Sequence, residues 1–262
     1  MSIWASGAAY EPYVGRWSRL VAREFLAWLA VPPGARWLDV GCGTGALTQT
    51  ILAEAAPRAV MGIDQSEAYA RYARAQTPDP RASFQVGDAQ QLPLEAGQFD
   101  AAVSGLVLNF VPRPADAARE MARVTRAGGA VAAYVWDYAG EMQLMRHFWD
   151  AAAALDPAAV ELDEGRRFPL CKPAPLAQLF RDAGLREVEA RAIDVPTPFR
   201  DFDDYWSPFL GGQGPAPSYA MSLSDERRVA LRDRIRAGLP IATDGSIPLI
   251  ARAWAVRGQR ST

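Results

Sequence analysis

Residues 37–47 read Trp37-Leu38-Asp39-Val40-Gly41-Cys42-Gly43-Thr44-Gly45-Ala46-Leu47. A short apolar strand runs into three glycines at alternate positions and then directly into a helix. Such a stretch demands a tight turn that only glycine makes without strain. It also leaves bare backbone beside a helix start, where a ligand can lie. The spacing is G-x-G-x-G, whereas dinucleotide turns read G-x-G-x-x-G. Asp39, two residues before the first glycine, repels a pyrophosphate and attracts an ammonium group. The near end of the ligand is therefore expected to be cationic or zwitterionic.

The flanking sequence repeats one rhythm. Strands are expected at residues 36–40, 59–63, 83–86, 99–104 and 130–135, each short and bounded by Gly, Asp or Pro. Helices are expected at 46–55, 67–76 and 115–126, the last closed by Gly128-Gly129. This alternation implies a doubly wound parallel sheet. A helix at 18–30 precedes it, and helices at 141–155 and 174–183 follow. Strands at 185–195 and 247–256 come last, separated by an aromatic-rich segment and a helix at 225–237 that Ser222 or Ser224 can cap. The expected organisation is one domain over 1–262: an N-terminal lid and helix at 1–34, a core at 35–137, and a cap inserted at 197–245.

Composition narrows the chemistry. The chain has 262 residues, 28 basic against 30 acidic, and half of it is apolar. That balance lacks the footprint of a general nucleic-acid binder. Two Cys and one His supply neither a structural zinc site nor a disulfide framework, so no metal is expected. No apolar run reaches the ~18–20 residues of a membrane span. The first residues read as no signal peptide, and a cytoplasmic protein is expected.

Two further carboxylates stand where a nucleoside needs them. Asp64 ends the second strand, where an acidic side chain grips ribose hydroxyls in doubly wound folds. Asp88 ends the third and can accept from an exocyclic adenine amino group. An amino acid, a ribose and an adenine across successive strand ends describe S-adenosylmethionine (SAM). The ordered set of the glycine turn, Gly62-Ile63-Asp64, Gly87-Asp88-Ala89 and Phe99-Asp100 through Leu108 resembles the class I SAM-dependent methyltransferases over roughly residues 36–136. The resemblance implies a Rossmann-like seven-stranded sheet of order 3-2-1-4-5-7-6 with the last strand antiparallel. It also implies a cofactor site of Asp39, Gly41, Cys42, Gly43, Thr44, Gly45, Asp64, Gln65, Asp88, Ala89 and Ser104.

Methyl transfer from a sulfonium is an in-line displacement that needs alignment and, for some acceptors, proton removal. His147, Asp137 and Tyr138 are the candidates for that removal. Tyr10, Tyr13, Trp136 and Trp206 are candidate walls for a small-molecule substrate with an O, N or C acceptor. The Asn/Asp-Pro-Pro-aromatic motif of base-methylating relatives is absent after the fourth strand, which reads Ser104-Gly105-Leu106-Val107. Nucleic acid is therefore not the expected partner. The competing reading is a regulatory module that binds SAM or S-adenosylhomocysteine without turnover.

Overall fold

The computed structural model of the chain describes residues 16–211 and 214–261. In chain order the principal elements are α1 (Arg16–Leu29), β1 (Arg36–Val40), α2 (Ala46–Glu54), β2 (Ala59–Asp64), α3 (Glu67–Gln76), β3 (Ala82–Val86), β4 (Phe99–Gly105), α4 (Pro114–Val124) and β5 (Thr125–Trp136). Then follow α5 (Gln143–Leu155), α6 (Glu164–Arg167), α7 (Pro173–Asp182), β6 (Leu185–Phe199), α8 (Phe202–Trp206), α9 (Pro215–Ser222), α10 (Asp225–Gly238) and β7 (Ile247–Arg260). The strands form one sheet ordered β3-β2-β1-β4-β5-β7-β6, with β7 antiparallel, as expected.

The described residues group into two compact units. One comprises residues 18–135, 170–193 and 253–261; the other holds residues 16–17, 136–169 and 194–252. In the first, β1 pairs in parallel with β2 and β4, so Trp37 through Val40 are buried on both faces. That double burial is why β1 reads as an unbroken apolar run apart from Asp39. Helix α3 starts where the Ser66 hydroxyl accepts from the Tyr69 amide, with Glu67 in its first turn and Arg74 in its last, both complementing the helix dipole.

Several boundaries differ from expectation. The helix α4 ends at Val124, and Gly128-Gly129 lies inside β5 rather than closing a helix. Thr125 leaves the helix in extended backbone while its hydroxyl donates back to the Met121 carbonyl at 2.7 Å. Gly128 sits at φ 73°, and the β4–β5 register shifts between Phe99 and Ala101. A Cβ at Gly129 would lie 2.7 Å from the Asp100 carbonyl oxygen, so the glycine pair serves a strand irregularity. Both β6 and β7 also run four residues beyond their expected ends at 195 and 256.

The second unit is helical and packed on aromatics. Phe148 of α5 stacks on Phe209 at 4.6 Å between centroids, and Trp149 meets Tyr219 at 5.7 Å. The Tyr205 hydroxyl donates to the Leu144 carbonyl at 2.8 Å. Ser224 caps α10, settling the choice between the two serines. Asp201 caps α8 by accepting from the Asp204 amide. Among the described residues no helix is long and apolar enough to cross a membrane.

Candidate cofactor-binding site

The glycine turn after β1 is shaped by positive φ at Gly41 (76°), Gly43 (51°) and Gly45 (87°). At Gly41 the reason is also steric: a Cβ there would stand 2.5 Å from Val107 Cγ1. The loop after β4 thus seats itself on the first glycine. Gly45 lies against α3, where a Cβ would come 3.3 Å from Ala73 Cβ. No heavy atom lies within 4 Å of a Cβ built on Gly43, so that glycine faces open space. The turn is closed by its own amides. Gly41 and Cys42 both donate to the Ile63 carbonyl, at 2.7 and 3.0 Å, and Gly45 donates to the Cys42 carbonyl at 2.8 Å.

Asp39 sits just before this turn and is 1% exposed. The Thr48 hydroxyl donates to its Oδ2 at 2.7 Å, and the Thr48 amide reaches the same carboxyl. Burial nevertheless pushes its pKa up to about 7, against the lowering by Thr48. Its Oδ1 is buried with no hydrogen-bond partner. A buried acceptor left without a donor is costly, and a cationic N–H at the turn would satisfy it.

Asp64, at the end of β2, is held by two amides. Gly43 donates to Oδ2 at 3.0 Å and Ser66 to Oδ1 at 2.8 Å. Each oxygen keeps a second lone pair, so two hydroxyls can donate to the fixed carboxylate. Partial burial raises its pKa against those amide bonds. Gln65 beside it is exposed. Asp88 is exposed, and the Gln90 amide and side chain tether it at 2.9 to 3.1 Å. Those bonds lower its pKa. Ala89 is half-buried and Thr44 buried.

Two of the expected cofactor residues have their side chains committed elsewhere. The Cys42 thiol is buried in a cluster with Ala73 and Phe84, and burial drives its pKa far upward. Ser104 is fully buried and donates its hydroxyl to the Val40 carbonyl at 2.8 Å, tying β4 to β1. Thr48 escaped the sequence reading, whereas Leu106 and Val107 lie within residues 99–108, one of the segments that carry the family resemblance. Thr48 stands nine residues beyond Asp39, a pairing with no local signature. Leu106 holds φ 62° without being glycine, a conformation that persists only when its surroundings impose it.

The remaining candidates lie in the second unit or outside the described residues. Trp136 and Tyr138 are buried, Tyr138 against Phe168 at 5.8 Å. Asp137 is buried; it accepts from the Glu141 amide at 3.0 Å while its own amide donates to the Arg252 carbonyl at 2.9 Å. His147, on α5, is half-buried, and burial lowers its pKa. Trp206 is buried and stacks on Phe202. Tyr10 and Tyr13 lie outside the described residues. Among the described residues no group of three or more His, Cys, Asp or Glu is arranged to hold a metal ion.

The acceptors and spaces of the first unit fit SAM: a lone carboxylate oxygen for the ammonium, an open glycine and a pre-set carboxylate for a diol. Comparison with known proteins agrees. Residues 38–133 match a methyltransferase domain family. The demethylmenaquinone methyltransferase of Roseiflexus sp. (strain RS-1) is 34% identical over 183 residues, covering 64% of this chain and 75% of that one. The 2-methyl-6-phytyl-1,4-hydroquinone methyltransferase of Synechocystis is 30% identical over 187 residues, covering 70% of this chain and 57% of that one. Across the first curated relatives the match spans 54% to 75% of their length. In fold, a SAM-dependent methyltransferase of Thermotoga maritima superposes with a TM-score of 0.58 at 19% identity, covering 99% of this chain and 98% of that one. The chain belongs to the class I SAM-dependent methyltransferases.

Proposed function

We propose that the protein transfers the methyl group of SAM to an O, N or C atom of a small molecule by in-line displacement. The observation that carries this reading is the buried, unpartnered Oδ1 of Asp39 beside the glycine turn. When bound, SAM supplies an activated methyl group on sulfur. The chain's own residues bind and orient: Asp39 takes the ammonium, Asp64 the ribose hydroxyls, and Asp88 with Ala89 the adenine edge. The relatives are named for quinone and hydroquinone substrates, which supports a small organic acceptor here.

As candidates for accepting a proton, Asp137 and Tyr138 follow directly on β5, and His147 lies on α5. The segment 197–245, beyond the matched 38–133, is the proposed cap that selects the acceptor. Calorimetry with S-adenosylhomocysteine tests cofactor binding, and tritiated-methyl transfer to a panel of phenols, amines and carboxylic acids tests turnover. Binding with transfer to one acceptor class is the expected result. The absence of S-adenosylhomocysteine binding overturns the reading, and binding without transfer to any acceptor favours the regulatory module.

A further inference from the structure

The amino-acid end of SAM carries a carboxylate as well as an ammonium, and the glycine turn offers the carboxylate little. The amides of Gly41, Cys42, Gly43 and Gly45 are all committed, to Ile63, to Asp64 and to the turn itself. Asp39 is an acceptor and repels a second carboxylate. A neighbouring segment can supply a side-chain donor.

The loop after β4 is that neighbour, because Val107 packs on Gly41. Two residues on, in the short 3₁₀ turn Leu108–Phe110, Asn109 has its Nδ2 buried with no hydrogen-bond partner. A buried amide N–H without an acceptor is destabilising, and a ligand oxygen would satisfy it. The same loop holds the left-handed backbone of Leu106, pinned by its amide donating to the Tyr134 carbonyl at 2.8 Å. Strained, over-determined backbone of this kind clusters at ligand clamps.

We propose that Asn109 is a cofactor-positioning residue whose Nδ2 donates to the carboxylate of SAM, while Asp39 takes the ammonium. The inference rests on the methyltransferase reading. Its role is orientation: a donor for the carboxylate and an acceptor for the ammonium fix the amino-acid arm, and through it the sulfur.

The test needs no methyl acceptor. Calorimetry compares S-adenosylhomocysteine with its decarboxylated form, S-adenosyl-3-thiopropylamine, on the wild type and on Asn109→Leu, which keeps the side-chain size and removes the donor. The wild type is expected to bind S-adenosylhomocysteine about 10- to 100-fold tighter than the amine, the range for a hydrogen bond to a charged group. Asn109→Leu is expected to bind the amine as the wild type does, which also proves it folded, and to lose the preference. Asn109→Asp is expected to bind S-adenosylhomocysteine more weakly still. A wild type without the preference, or an Asn109→Leu variant that keeps it, overturns the assignment. If Asn109→Leu binds neither ligand, Asn109→Ala decides by the same comparison. If the wild type binds neither compound, the methyltransferase reading itself fails.

Discussion

Thr48 donates its hydroxyl to Asp39 Oδ2 at 2.7 Å and leaves Asp39 Oδ1 bare in the protein interior. One side of the carboxylate is fixed by the first turn of α2, and the other is buried without a hydrogen-bond partner. Because burial dominates, Asp39 titrates at about 7.

That value has a signed consequence. The folded pKa lies above the ordinary 3.8, so the native state binds the proton more tightly than the unfolded chain. Its stability contribution is full below about pH 4 and is lost as pH rises through 7. Cofactor binding runs the other way, since the ammonium needs the ionised form. S-adenosylhomocysteine affinity should rise from pH 5.5 to 8 by up to about tenfold per pH unit below the pKa, then level off. Asp39→Asn should flatten that profile in calorimetry and raise the melting temperature at pH 8.

Asp64→Ala should weaken S-adenosylhomocysteine binding by about 10- to 100-fold. The variant removes the acceptor for a diol and also frees the Gly43 amide that Oδ2 holds. Asp64→Asn removes the charge and also sets an NH2 donor against the Gly43 or Ser66 amide, so it too should weaken binding. Unchanged binding in Asp64→Ala would contradict the ribose assignment.

Gly41→Ala should destabilise the fold by roughly 2–4 kcal/mol in chemical denaturation, through left-handed backbone and overpacking together. Its Cβ would stand 2.5 Å from Val107 Cγ1. Val107→Ala opens that space, so the double variant should recover the packing part and leave the backbone part. Additive losses would show that the two segments do not touch as described.

In the helical unit Glu164 is 2% exposed and accepts from Trp149 Nε1. Burial pushes its pKa up to about 7, with Asp163 adding to the rise and Arg167 opposing it. Its stabilising contribution is again lost as pH climbs from about 4.5 to 7. Glu164→Gln should leave the melting temperature near pH 5 little changed and raise it at pH 8. A parallel pH profile in variant and wild type would refute this.

Arg146 gathers three partners in the same unit. It donates to Asp163 at 2.7 Å, to the Tyr138 carbonyl at 2.8 Å and to Asp150 at 3.1 Å. Its side chain is 16% exposed, Asp163's 14% and Asp150's 75%, so the Asp163 pair is the one that matters. Arg146→Met should cost about 3 kcal/mol in urea denaturation by leaving a buried carboxylate unpaired. Asp150→Ala should change stability by less than about 1 kcal/mol.

Much of this architecture is legible in the chain alone, because the information is local. The alternation of apolar strands and amphipathic helices, Gly41, Gly43 and Gly45, and the strand-end carboxylates Asp64 and Asp88 each depend on a few adjacent residues. Gly128-Gly129 misled for the same reason: two glycines after a helix pattern look like a cap, whereas a Cβ at Gly129 would crowd the neighbouring Thr125 and Arg126 and also Asp100, which is distant in sequence.

The sequence by itself determined the strand–helix alternation and the placement of the glycine turn, since period, spacing and turn chemistry are carried by neighbours along the chain; the sheet order followed from the family that the ordered motifs resemble. Only the tertiary structure decided which groups are committed and which are free. Ser104 and Cys42 have lost their side chains to packing, Asp39 has been pushed up to about 7 by burial, and Asn109 has been left with a donor and no acceptor. Desolvation and hydrogen-bond satisfaction belong to the folded surroundings, and no spacing rule encodes them.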